Sequence, residues 1–197
     1  ADHYGYIERI KAAAEALGYQ KDKIDIIIMQ LVRLFEKGKE VRMSKRTGIY
    51  ITIDELINEV GLDVVRFFFL TRGNNTQFNF DMDLAKEKSD KNPVFKVQYA
   101  YARICSVIKK SKIGSLNSKV NYVLLNESNY LNLMRQLAKF SEAVEETAKD
   151  YQVQRIPQYA TELADIFHSF YENCQIINKN KELSRARLVL VLATKIV

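Results

Sequence analysis

Pro93-Val94-Phe95-Lys96-Val97-Gln98-Tyr99-Ala100-Tyr101-Ala102-Arg103-Ile104-Cys105-Ser106-Val107-Ile108-Lys109-Lys110 is the stretch on which the reading of the fold turns. Val97, Ala100, Ile104 and Val107 recur every three or four residues, the period of one buried helix face. Pro93 suits the first turn of such a helix, where no N–H needs an intrahelical acceptor. Beyond Lys110 the same period returns and predicts helices over roughly 129–149, 156–178 and 183–197, with short connections and no strand. That pattern is an all-helical bundle.

Towards the N-terminus the pattern changes. Ile7, Ile10, Ala13, Ala14 and Leu17 place a helix over 4–17, stopped by Gly18. Ile24 to Val32 is β-branched and nearly continuous, which predicts a strand buried on both faces of a parallel sheet. Glu36-Lys37-Gly38-Lys39-Glu40 reads as a charged turn that returns a short strand through Val41-Arg42-Met43. Thr52 or Asp54 can cap a helix over 54–60 that Gly61 ends, and Asp63 can cap another through Leu70. The triplet Phe67-Phe68-Phe69 cannot face one way on a helix, so it predicts burial on more than one side, between two domains. A polar loop, Arg72 to Gln77, precedes a short helix from Asp81 to Ser89. The expected fold class is therefore mostly α with a small α/β part, with a first domain at 1–90 and a helical bundle at 91–197.

Composition narrows the function classes. Seven Gly and two Pro exclude a low-complexity chain, and no run approaches the ~18 apolar residues of a membrane span, so no membrane partner is expected. Two histidines and two cysteines, Cys105 and Cys174, cannot assemble a metal-ligand cluster; the expectation is a metal-free, reduced, cytoplasmic protein. The sequence opens Ala1-Asp2-His3 without Met and stops inside an apolar helical run, so it reads as part of a longer chain. The net charge of +6 is uneven: residues 1–90 hold 14 Lys/Arg against 15 Asp/Glu, and residues 91–197 hold 16 against 9. A basic, aromatic-rich helical half suits a polyanion, although a basic balance also serves solubility alone.

Two groups of residues can carry chemistry. Val41-Arg42-Met43-Ser44-Lys45-Arg46-Thr47-Gly48 is a cationic loop between a strand and a capped helix. A Lys ammonium there can follow charge developing on phosphate while Ser, Thr and the Gly48 backbone donate hydrogen bonds; a solvated basic turn has the same composition. On the helix from Pro93, Lys96, Tyr99, Arg103 and Lys110 recur on a second face, basic with an aromatic ring. RNA readers stack unpaired bases on Tyr or Arg planes while Lys and Arg neutralise phosphate, and His168 and Tyr171, at i and i+3, can extend that surface. An ordinary solvated amphipathic face shows the same spacing. Gln30, the one amide in the apolar run before Val32, stands where ligands of open α/β sheets bind. Asp2 can cap the first helix or, with His3, bond a ribose or base edge.

The cationic loop resembles the Lys-Met-Ser-Lys-Ser signature of class I aminoacyl-tRNA synthetases, with Arg42 in place of the first Lys and Arg46 in place of the last Ser. The resemblance narrows to the arginyl-tRNA synthetase family through Ala1-Asp2-His3-Tyr4-Gly5-Tyr6, Gly61-Leu62-Asp63-Val64-Val65-Arg66-Phe67-Phe68, the run Asn92 to Ile104, and Phe167-His168-Ser169-Phe170-Tyr171. It implies the end of a Rossmann-like class I catalytic domain followed by a helical anticodon-binding domain. It implies that Lys45 stabilises the pyrophosphate of ATP, that Ser44 helps hold the loop near ATP and that Arg42 keeps the charge of the first signature Lys, these three being the catalytic residues, that Asp2, His3, Met43 and Gln30 line the ATP and substrate pocket, and that Lys96, Tyr99, Arg103, Lys110, His168 and Tyr171 face tRNA-Arg. Arginine, ATP and Mg2+ bound with the ATP are the implied substrates, the intact enzyme rather than this part alone is the expected active species, and a monomer is expected. The rival readings are a non-catalytic tRNA-binding module and another class I synthetase, such as the cysteinyl enzyme, whose zinc ligands this sequence lacks.

Overall fold

The structure, a computed structural model, describes residues 3–41, 51–111 and 120–197. The chain divides into two compact units, Ala1–Ala85 and Lys86–Val197.

In the first unit, helix α1 spans Tyr6–Ala16 and ends at Gly18, whose φ of +89° needs a glycine. The continuous strand expected over Ile24 to Val32 is absent: strand β1 runs from Val32 to Glu36. From Ile24 to Leu31 exposure alternates, with Ile24, Ile26, Ile28 and Gln30 half-buried while Ile27, Met29 and Leu31 are exposed. A strand is defined by its ladder, and pairing starts only where β3, Phe78–Asp81, lies parallel to β1, in the register Val32↔Phe78 to Phe35↔Asp81. β3 itself falls between two predicted elements. Its Phe-Asn-Phe-Asp alternation buries Phe78 and Phe80 and exposes Asn79 and Asp81, a period-two signal only four residues long.

Strand β2, Lys39–Glu40, pairs antiparallel with β1 through the two-residue turn Lys37-Gly38; of the return strand expected at Val41 to Met43, Arg42 and Met43 lie outside the described residues. Both turn residues have positive φ, +50° and +71°, as a type I′ hairpin requires. Asp83 Oδ2 accepts the Lys37 N–H at 2.5 Å, fixing the tip. Helix α2, Ile53–Val60, opens with a capping box in which Thr52 and Glu55 exchange bonds; those bonds hold the Glu55 carboxyl below its usual range. Helix α3, Leu62–Leu70, is capped by Gly61 rather than Asp63, which sits in the first turn. The helix expected from Asp81 to Ser89 shortens to α4, Met82–Lys86, because Asp81 ends β3 and its Oδ1 caps the N–H groups of Asp83 and Leu84. The described ring contacts of Phe68 and Phe69 are to Phe78 and Phe80 of the same unit.

The second unit is helical. Helix α5, Pro93–Ser111, is followed by α6, Ser128–Ala138; α7, Phe140–Asp150; α8, Arg155–Asn173; and α9, Lys181–Ile196. The single helix expected over 129–149 is two, parted at Lys139. α8 packs on α5, α6 and α7, and α9 on α5 and α6. Tyr130, Leu133, Phe167, Phe170 and Val191 are fully enclosed in this core. Cys105 and Cys174 are free thiols, and burial pushes the Cys174 thiol up.

Among the described residues, one charged side chain, Arg187, is buried inside the bundle. Arg187 donates from Nε to Tyr130 Oη at 2.9 Å and from Nη1 to the Gln175 carbonyl at 2.6 Å, and its Nη2 also bonds Tyr130 Oη. Burial raises the Tyr130 phenol against the opposing pull of Arg187. Tyr130→Phe removes the acceptor of two guanidinium donors and leaves them buried. The expected loss of stability is about 1–3 kcal/mol in urea denaturation, with Tyr130→Phe/Arg187→Met losing less than the sum of its two single variants. Additive losses would show that the pair is not coupled.

Candidate nucleic-acid interface

The site is built on α5 and α8. Asn92 precedes α5, and its Oδ1 accepts the N–H groups of Val94 and Phe95 at 3.0 and 3.4 Å, so the helix begins at Pro93 with fixed rotation about its axis. Val94, Ala100, Ile104 and Val107 go into the core, with Val97 half-buried beside it. The face carrying Lys96, Tyr99 and Arg103 meets the Asp165, His168 and Glu172 face of α8, and these residues line a cleft of about 400 Å³.

Arg103 is the centre of that face. Its guanidinium carbon lies 4.5 Å from the Tyr99 ring centroid and 4.8 Å from that of Tyr171. Nη2 donates to Tyr99 Oη at 3.1 Å, Nη1 donates to His168 Nδ1 at 3.3 Å, and Glu172 lies 3.6 Å away. Partial burial works against the charge, but the Tyr99 hydroxyl and Glu172 outweigh it and keep the guanidinium pKa above its ordinary value. Phe95 stacks on Tyr99, with ring centroids 5.9 Å apart and planes 7° from parallel, while Tyr99 remains 41% exposed. The ring is thus fixed between Phe95 and the Arg103 guanidinium, and its exposed part remains accessible to a ligand.

The expected basic stripe is thus only partly basic. Lys96 pairs with Asp165 at 2.8 Å, Arg103 with Glu172, and Asp90 stands on the cleft's lip. Five of the six residues expected on this surface come together: Lys96, Tyr99, Arg103, His168 and Tyr171. Lys110, seven residues beyond Arg103, is exposed and does not line the cleft. The carboxylates were the residues missed, although Asp165, His168 and Glu172 repeat at three and four residues along α8 and mirror the spacing of the α5 stripe. Among the residues expected at an ATP pocket, Asp2, Arg42, Met43, Ser44 and Lys45 lie outside the described residues. His3 is exposed at the start of α1, its carbonyl accepting the Tyr6 N–H at 3.0 Å. Gln30 is half-buried, and its N–H donates to the Asn74 carbonyl at 3.0 Å.

Residues 97–197, which hold most of α5 and all of α6 to α9, match the model of the DALR anticodon binding domain. The chain belongs to the DALR anticodon-binding domain family. Along its whole length it is 46% identical to an arginine–tRNA ligase of Symbiobacterium thermophilum and 46% identical to one of Carboxydothermus hydrogenoformans, and it spans 36% of the length of each. A crystal structure from Campylobacter jejuni, assigned as an arginyl-tRNA synthetase, superposes over 99% of this chain and 43% of its own with a TM-score of 0.81 at 29% identity. Of the residues that line the α5–α8 cleft, all but Asp90 and Lys96 lie within the matched stretch.

Because Arg103 donates to His168 Nδ1, the imidazole proton of neutral His168 belongs on Nε2, which is buried without a partner. Nitrogen-15 imidazole shifts should report the Nε2–H tautomer, and Arg103→Met should release it to a mixture. An Nδ1–H tautomer in the parent would overturn this geometry.

Proposed function

We propose that this chain is the C-terminal part of an arginine–tRNA ligase and that its DALR unit holds tRNA-Arg at the α5–α8 cleft. The observation that carries the reading is the 46% identity to arginine–tRNA ligases along the full length of the chain, together with the family match over 97–197. In the intact protein, the carboxylate of arginine attacks the α-phosphate of ATP, bound with Mg2+, and forms arginyl-adenylate while pyrophosphate leaves. A hydroxyl of the tRNA's terminal ribose then takes the arginyl group and AMP departs. Lys45, with Ser44 and Arg42, acts on the departing pyrophosphate, while Asp2, His3, Met43 and Gln30 serve the ATP and arginine pocket. The site of action is the cytoplasm.

Within the cleft, the exposed part of Tyr99 meets an unstacked base. Lys96 and Arg103, already paired with Asp165 and Glu172, hold the wall rather than meet phosphate as free charges. Long-range attraction comes from the excess of 16 cations over 9 anions in residues 91–197.

In the intact protein, Tyr99→Ala should weaken binding of tRNA-Arg by about 1–3 kcal/mol and reduce discrimination against an anticodon-substituted tRNA. Lys96→Ala should weaken both tRNAs alike and by less. Titrations at two salt concentrations decide it, and equal binding of both tRNAs by Tyr99→Ala and the parent would remove Tyr99 from the interface. Separately, Lys45→Ala should slow arginyl-adenylate formation far more than it weakens arginine binding, because its charge is needed as pyrophosphate leaves. An unchanged pre-steady-state rate in the folded variant would sink the phosphate role.

A further inference from the structure

The loop between α3 and β3 closes as a turn in which the Thr76 N–H donates to the Gly73 carbonyl at 2.9 Å, with Asn74 and Asn75, residues that favour such corners, in the middle. Two distant stretches of the first unit end on this turn. The Asn74 carbonyl accepts the Gln30 N–H at 3.0 Å, and Asn75 Oδ1 accepts the Tyr4 hydroxyl at 2.5 Å. Tyr4 stands at the entry of α1, where its carbonyl accepts the Ile7 N–H at 3.2 Å and the His3 carbonyl accepts that of Tyr6 at 3.0 Å. The His3 ring rests near Tyr6, with centroids 5.8 Å apart, and the Arg9 guanidinium overlies the same Tyr6 ring at 5.5 Å. A phenol that is 49% exposed gains little stability from one hydrogen bond, because water replaces a lost acceptor. What the bond does is select one place for the chain at Tyr4, and so for His3 beside it.

We propose that the Gly73–Thr76 turn is a clasp that serves the ATP pocket, and that Asn75 is a positioning residue acting through Tyr4 on His3. The inference rests on the reading of His3 and Gln30 as ATP-pocket residues given above. Two residues from separate stretches serve one ligand only if those stretches keep a fixed separation. The β1–β3 ladder begins at Val32, so among the described residues it does not extend to Gln30. The turn supplies the missing tie, because it grips the Gln30 backbone with one peptide carbonyl and Tyr4 with the side chain of the next residue. Adjacent residues of one closed turn cannot move apart, and neither can the chains they hold. Breaking the Tyr4–Asn75 bond leaves Gln30 in place and frees the His3 side. The hold on the nucleotide then weakens, while the groups that act on the departing pyrophosphate are untouched.

In the full-length protein, Tyr4→Phe removes the donor of this bond and Asn75→Ala removes the acceptor. Each should raise KM for ATP in arginylation about fivefold, with kcat and KM for tRNA-Arg within about twofold of the parent. The double variant should show the same rise as either single one rather than the product of the two, because both changes break one bond. Thermal melts report the fraction folded, to which kcat is normalised; loss of structure alone lowers kcat and leaves KM for ATP where it was. Multiplying effects in the double variant, or an unchanged KM for ATP in both single variants, would overturn the clasp. His3→Ala separates the inference from the reading beneath it, and it should raise KM for ATP at least as much as Tyr4→Phe does. An unchanged KM with His3→Ala removes the reading of His3 and the clasp with it. A rise with His3→Ala and none with Tyr4→Phe leaves that reading standing and overturns the positioning role of Asn75.

Discussion

The guanidinium of Arg103 fixes the site. An arginine between two phenol rings gains from both π-faces, each worth roughly 0.5–2 kcal/mol as water is excluded, and its planar fork can still point donors in several directions. Here those directions are the Tyr99 hydroxyl, His168 Nδ1 and Glu172. Two of these restrain a neighbour, Tyr99 turned so that Phe95 stacks on it and His168 held in one tautomer, while the flat face of the guanidinium keeps Tyr171 against α5. A lysine would supply the charge but not the fork, so α5 and α8 would keep their apolar packing and lose the alignment of their polar faces.

The same arrangement separates attraction from recognition. The second half of the chain is basic overall, which raises the local concentration of a polyanion without choosing its sequence. Inside the cleft two cations, Lys96 and Arg103, stand with three carboxylates, Asp165, Glu172 and Asp90, so a phosphate gains little there. A base brings no charge, keeps its stacking energy on Tyr99, and can turn its own N–H groups towards the acids. On the proposed function, a cleft with one more carboxylate than cation inside a basic unit admits bases and leaves phosphates to the surrounding surface.

Much of this could be read from the sequence, and the reasons for the exceptions are physical. The bundle was legible because a helix satisfies its own backbone, so its signal is local: α5, α8 and α9 fall within a few residues of their expected bounds. Sheet strands were not, because a strand exists only beside a partner. Ile24 to Leu31 has the composition of a buried strand but no ladder among the described residues, while the four-residue β3 has one. The stripe at 96, 99 and 103 was legible by period. Its neutralisation was not, since Asp165 and Glu172 lie 69 residues on from Lys96 and Arg103, and no periodicity within one helix shows that another will bring its acids opposite. Lys110 shows the limit of the same argument: the helix period keeps it near that face, but the cleft ends before it.

The small sheet carries its own constraint. Phe80, fully enclosed, lies opposite Leu34 in the β1–β3 ladder, so a slip of one residue would turn β1's buried side chain outward. With β1 fixed, the two-residue turn fixes β2, and Val41 extends the pairing by donating its N–H to the Leu34 carbonyl at 2.8 Å. The turn places Lys37 at φ +50°, a region that costs a residue with a Cβ about 1–2 kcal/mol. The Asp83 carboxylate on the Lys37 N–H offsets that strain, and Asp83 is itself held by Asp81, the residue that ends β3 opposite Phe35. β1, the hairpin tip, Asp83 and β3 therefore close a ring of contacts. That ring sets the backbone position of Val41, the last described residue before Ile51.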